Sequence, residues 1–176
     1  MTGVLGCDDG TVGPDSPMRQ FSNALYDSTQ IFGTPIDDPF RWKKWFTERG
    51  FEDVTEVVYK LPVNPWPKDQ RLKLVGAFEM ENLLYGLGGM VTRLFSKALH
   101  WSPEQVQVFL VDVRKDIKNR NSHGYWPYTV VYARKPGGEP LPHKSGAASP
   151  DTHPATTARQ SPPTAATGAV TPDVAE

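Results

Sequence analysis

The chain carries one cysteine among 176 residues, a formal charge of -1, and no aromatic residue after Pro136. A lone thiol, Cys7, excludes an internal disulfide and fits a reducing compartment. A balanced charge supplies no global field toward nucleic acid or an anionic membrane. An interface built on Lys43, Lys44, Arg114, Lys115, Lys118 and Arg120 is offset by neighbouring acids, so nucleic acid is the least supported partner. No apolar run approaches membrane-spanning length, and no charged-then-apolar signal region opens the chain. The expectation is an intracellular protein of cytoplasm or nucleus, with no membrane partner. The hydrophobic share, 38%, is low, and the dilution is local. Residues 137–176 are Pro, Ala, Thr, Ser and Gly with scattered charge, a composition that cannot offset its ordering entropy and is expected to be disordered. Residues 1–136 hold enough Val, Leu, Phe and Trp for one domain.

Two stretches share a Val-Val-Tyr core: Phe51 to Leu61, and Tyr128 to Arg134. Both read as strands, the first apolar enough to be covered on both faces. Their pairing would make residues 69–119 a helical insertion at a sheet edge. Before them, Ser16-Pro17 and Asp38-Pro39 each give a helix start, a capping side chain followed by proline in the first turn. Met18, Phe21, Leu25 and Phe32 mark one buried face. Trp42, Trp45 and Phe46 mark another, with Lys43 and Lys44 turned outward. Within the insertion, Gly86-Leu87-Gly88-Gly89 lacks a preceding strand, so it reads as a helix break or close helix contact rather than a dinucleotide loop. Leu87, Met90, Val91, Leu94, Phe95 and Ala98 then keep helical rhythm. Ser102-Pro103-Glu104-Gln105 is a capping box, followed by Val106, Phe109, Leu110, Val113 and Ile117 facing inward.

The chemistry-bearing residues sit in loops. Asn64-Pro65-Trp66-Pro67 cannot continue a strand and holds Trp66 in place, either as a plug over the core or as a wall of a ligand cleft. Residues 119–127 gather His123, Tyr125 and Trp126. His123 has the ionisation to transfer a proton near neutral pH, or is an incidental loop histidine, since no carboxylate stands beside it in sequence. Asp8-Asp9 lacks calcium-loop spacing and reads as an Asx turn, not a metal site.

The run from Asp8 to Pro136 resembles a family. The matching stretches are Asp8-Asp9-Gly10-Thr11, Glu48-Arg49-Gly50-Phe51 with Asp53-Val54, Lys60-Leu61-Pro62 through Asn64-Pro65-Trp66-Pro67-Lys68-Asp69, Leu72-Lys73 with Gly76, Trp101-Ser102-Pro103-Glu104, Asn119 with His123 and Tyr125, and Val130 through Pro136. In wording and order they resemble the C-terminal half of fungal LaeA-like methyltransferases of secondary-metabolism control, class I enzymes that use S-adenosylmethionine. The resemblance implies an α/β fold, part of a Rossmann-like sheet whose last strand runs antiparallel, and a methyl-transfer ancestry. It places Trp66, His123 and Tyr125 on the methyl-acceptor side, with His123 the candidate base. The family's Gly-rich cofactor turn and ribose-binding acid have no counterpart, so the expectation is a truncated fragment with no cofactor-binding residues, probing as inactive alone. The competing reading is a non-enzymatic interaction module that associates with itself or a protein partner through the exposed sheet edge.

Overall fold

The computed structural model describes residues 3–138. The expectation of disorder for residues 137–176 therefore falls almost wholly outside the described residues. In chain order the elements are α1 (Pro17–Ile31), a short 3-10 turn (Asp38–Arg41), α2 (Trp42–Glu48), β1 (Glu52–Pro62), α3 (Gln70–Ala98), α4 (Pro103–Ile117) and β2 (Tyr125–Arg134). It is a mixed α/β unit. Among the described residues β1 and β2 form a two-stranded antiparallel sheet, with Val57 opposite Val130 and Glu56 opposite Val131. The expected pairing of the two Val-Val-Tyr strands is what the chain forms.

Three helices build the core, and their spacing says why. Leu83, Leu87, Val91 and Phe95 recur every fourth residue along α3, while Val106, Leu110, Val113 and Ile117 recur every third or fourth along α4. Each set is a stripe on one helix face, so the two helices bury them against each other and against Met18 and Phe21 of α1. Phe95 stands among Phe21, Trp101 and Phe109, with ring centroids 6.1, 5.5 and 6.4 Å away. Burying such a side chain contributes about 1.5–3 kcal/mol. The helix starts are fixed as the sequence indicates. Ser16 Oγ accepts from the Arg19 amide, and the capping box joins Ser102 and Gln105 in both directions. α4 also holds α1 from outside the stripe, because the Asp116 carboxylate accepts from the Met18 amide at 3.0 Å.

Four expectations are corrected. α3 runs unbroken through Gly86–Gly89, because its Leu83–Phe95 stripe is buried on both sides of the glycines and outweighs their helix-weakening effect. Trp42, Trp45 and Phe46 are only half-buried; α2 has seven residues and lies against the ribbon rather than in the helical core. Phe32 falls just past the last turn of α1 and is exposed. β1 is not covered on both faces: Val58 and Tyr59 are about half exposed, as are Tyr128 and Tyr132 of β2.

One close approach couples the sheet to the helices. Gly76 of α3 lies against the backbone carbonyl of Asn64, and a Cβ there would run into that oxygen. Since the obstacle is backbone, it cannot swing aside. Gly76→Ala is therefore expected to destabilise the unit by about 1–3 kcal/mol, read as a lower urea midpoint, and an unchanged midpoint would contradict this packing. Nearby, burial pushes the Glu79 carboxyl up from its ordinary value of 4.5. Its neutral form is favoured by folding, so the contribution is present below pH 4.5 and lost as pH rises through the raised value. Glu79→Gln should be more stable than the wild type at pH 7, with the difference vanishing in acid; urea melts at several pH values check it.

Candidate functional site

Three segments distant in sequence meet at one end of the ribbon. β1 ends at Pro62 and passes into Val63–Pro67. β2 begins at Tyr125 on the same edge, after the loop that carries Ser122 to Gly124. The third segment is N-terminal: Gly6 bridges Tyr125 antiparallel, through Gly6 N–H to the Tyr125 carbonyl at 2.8 Å and Tyr125 N–H to the Gly6 carbonyl at 3.0 Å. Gly6 thus enters the edge of β2 opposite β1.

Asn64 fixes the two loops against each other. Its side chain is fully buried, and Nδ2 donates to the Asn119 and Ser122 carbonyls at 3.1 and 3.2 Å. Its own carbonyl accepts from the Trp66 amide at 2.9 Å, turning the chain between the two prolines. Trp66 then donates Nε1–H to the Gly124 carbonyl at 3.0 Å and lies stacked on the His123 ring, centroids 4.8 Å apart. The indole is half-buried.

The Asx turn supplies what the loop sequence around His123 lacks. Asp9 Oδ1 accepts from the amide and hydroxyl of Thr11 at 3.1 and 2.7 Å and from the Cys7 thiol at 3.3 Å. Asp9 Oδ2 meets His123 Nδ1 in a short contact, and the His123 amide donates to Thr11 Oγ1 at 2.9 Å. The His123 bond, with the Thr11 donors, holds the Asp9 carboxyl well below the usual carboxylate range. Asp8 serves the neighbouring group. It accepts from the Tyr125 hydroxyl at 2.8 Å and pairs with the Lys60 ammonium, which also sits over the Tyr125 ring, 5.0 Å from its centroid. Partial burial works against the Asp8 charge, but these two donors keep its carboxyl below the ordinary value. Burial first, then the bond to Asp8, pushes the Tyr125 phenol far up, so Tyr125 stays protonated as a fixed donor.

The structure thus brings Trp66, His123 and Tyr125 to one place, and adds Asp8 and Asp9 to them. Reasoning from the loop alone leaves His123 without a carboxylate. The partner lies 114 residues away, and the signal that joins them is the resemblance, whose matching stretches contain both Asp8–Thr11 and His123 with Tyr125. A shallow groove elsewhere, lined by Asp27, Leu99, Trp101 and Phe109, includes none of these residues. Among the described residues no helix is long and apolar enough to cross a membrane.

An antiparallel two-stranded sheet with helices packed beside it and polar loops at one end is a mixed α/β arrangement consistent with part of a class I methyltransferase-type fold. No protein-family profile matches the chain, and no solved structure matches it. Curated relatives do. A probable methyltransferase, tdiE of Emericella nidulans, is 34% identical over 129 residues, 73% of this chain and 41% of the relative. The methyltransferase pytC of Aspergillus terreus is 34% identical over 133 residues, 76% of this chain and 41% of the relative. The secondary metabolism regulator LAE1 of Cochliobolus heterostrophus is 32% identical over 131 residues, 74% of this chain and 43% of the relative. The chain is thus a homologue of part of several fungal methyltransferases and secondary-metabolism regulators, the LaeA-type regulators among them. It spans about two fifths of the length of these relatives.

The lowered Asp9 carboxyl sets a sign. Its contribution to stability is present above the ordinary value of 3.8 and is lost as pH falls through the folded-state value. At neutral pH Asp9→Asn should therefore have a lower urea midpoint than the wild type. The gap should narrow as pH drops below 3.8, and a gap that widens below that value would contradict the hydrogen bonds to Asp9.

Proposed function

We propose that this chain supplies the acceptor side of an S-adenosylmethionine-dependent methyltransferase of the LaeA-like kind, with Trp66, His123 and Tyr125 beside the acceptor. The observation that carries this reading is the identity of about one third to several fungal methyltransferases over three quarters of the chain. The convergence of the three residues supports it. Methyl transfer asks mainly that donor and acceptor be held in line. For that, Trp66 offers a flat wall, Tyr125 a phenol oxygen that can still accept a hydrogen bond while its one hydrogen is held by Asp8, and His123 an imidazole able to take a proton.

The described residues do not fit the cofactor. The family's cofactor lies on a glycine-rich turn between a strand and a helix, whereas Gly86, Gly88 and Gly89 lie inside α3 and the one strand-to-helix connection, Val63–Asp69, contains no glycine. We assign no cofactor contact to them. The ribbon is read instead as one edge of a larger sheet. Tyr59, Tyr128, Val130 and Tyr132 share one face of the ribbon and leave it exposed, with Val58 exposed on the other face, as a sheet does where further strands and helices would cover it. The remaining three fifths of the relatives' length is the natural candidate for that cover, and association of the chain with a protein partner or itself through the same surface is the second reading. The lone thiol and the naming of one relative as a regulator support a cytoplasmic or nuclear location.

Titrating S-adenosylmethionine into the purified chain is expected to give no saturable heat. Methyl transfer is expected when the chain is combined with the cofactor-binding segment of a LaeA-like relative. Tight cofactor binding by the chain alone would overturn the acceptor-side assignment. Absence of transfer in a verified complex, with concentration-dependent sedimentation of the chain by itself, would replace it with the interaction-module reading.

A further inference from the structure

His123 is held in a way that a loop histidine in a purely spacing role does not require. Asp9 Oδ1 is occupied by the Thr11 amide, the Thr11 hydroxyl and the Cys7 thiol, which leaves Oδ2 aimed at His123 Nδ1. The same Thr11 hydroxyl accepts from the His123 amide, so ring and backbone are fixed by one turn. Trp66 covers one face of the imidazole. The side chain nonetheless remains one third exposed, and Nε2 has no hydrogen-bond partner among the described residues. An ionised carboxylate only accepts, so Nδ1 must carry the hydrogen when the ring is neutral. Nε2 then presents its lone pair outward. The charged groups nearest this pair, Asp8 and Lys60, are bonded to each other and to Tyr125 rather than to the ring.

We propose that Asp9 and His123 form a proton-accepting dyad, in which His123 Nε2 takes the proton of a methyl acceptor that bears an O–H or N–H group. The inference rests on the acceptor-side reading and names the class of acceptor within it. The acceptor's O–H or N–H bond breaks, its electron pair stays on the heteroatom, and a new N–H bond forms at Nε2. The resulting imidazolium is neutralised by Asp9, which stays ionised throughout. No oxidant, reductant or further co-reactant enters the step. A thioether acceptor has no proton to give and would make no use of this arrangement. Asp9 is a positioning residue, since it acts through His123; Thr11 and Cys7 in turn position Asp9.

The test uses the full chain and two readouts. Nitrogen-15 correlation spectra should show neutral His123 as the Nδ1–H form in the wild type and mainly the Nε2–H form in Asp9→Asn. Carbethoxylation by diethyl pyrocarbonate, followed at His123 by peptide mass mapping with exposed His100 as internal reference, separates the dyad from a mere latch. A dyad loses its Nε2 lone pair when Asp9 is neutralised, so the His123 rate should fall about tenfold in Asp9→Asn. Asp9→Glu should recover part of it. A latch would loosen instead, and the rate would rise. A rising rate, or a wild-type Nε2–H form, overturns the proposal. Both readouts are independent of methyl transfer. Failure of the methyltransferase reading would therefore appear as an intact, reactive dyad without transfer, and failure of the dyad as transfer with the wrong imidazole form.

Discussion

A single buried amide governs the geometry of this unit. Asn64 spends both Nδ2 hydrogens on carbonyls of the loop that leads to His123, and its own carbonyl receives the Trp66 amide. The back of that carbonyl is packed against Gly76 of α3. The end of β1, the first turns of α3 and the entrance to β2 are therefore referenced to one residue. Leaving such donors buried and unpaired costs about 1–3 kcal/mol each, so the loops have no comparably stable way to separate. Pro65 after Asn64 and Pro67 after Trp66 restrict the backbone further.

On that fixed base the two adjacent acids of the N-terminal turn divide their work. Asp8 reaches Lys60 of β1 and Tyr125 of β2, while Asp9 reaches His123. Adjacent carboxylates on an irregular backbone point apart, which makes them poor joint ligands for a cation but suits them to two different partners. The outcome is one tyrosine locked as a donor and one imidazole with a single nitrogen committed. Their chemical difference comes from environment: burial acts on the phenol, and a well-anchored carboxylate acts on the ring.

What was legible in the sequence followed from short-range chemistry. The capping residues Ser16 and Ser102, the prolines after them, the α4 stripe and the pairing of the two Val-Val-Tyr strands depend on neighbours a few residues away or on strong composition. The misreadings have a common origin in context. Gly86–Gly89 looks like an interruption until Leu83, Leu87 and Val91 are seen buried along one continuous face. Trp42 and Trp45 look like core until α2 is found beside a narrow ribbon with little surface to bury them. Val58 and Tyr59 look doubly covered because an apolar strand records the sheet it is suited to, not the two strands present among the described residues. The pairing of His123 with Asp9 could not be derived from spacing at all, since it joins opposite ends of the described chain.

That long span has a consequence for synthesis. The turn at Cys7–Thr11 is synthesised more than a hundred residues before its partners His123 and Tyr125. α3 and α4, adjacent in sequence, can pack on one another in the interval, but the loops at the ribbon's end must wait. Closing contacts of such sequence separation is slow and comes late. A nascent chain halted anywhere before β2 would carry its acidic turn uncommitted, so the polar end of the molecule doubles as a marker that translation of this stretch has been completed.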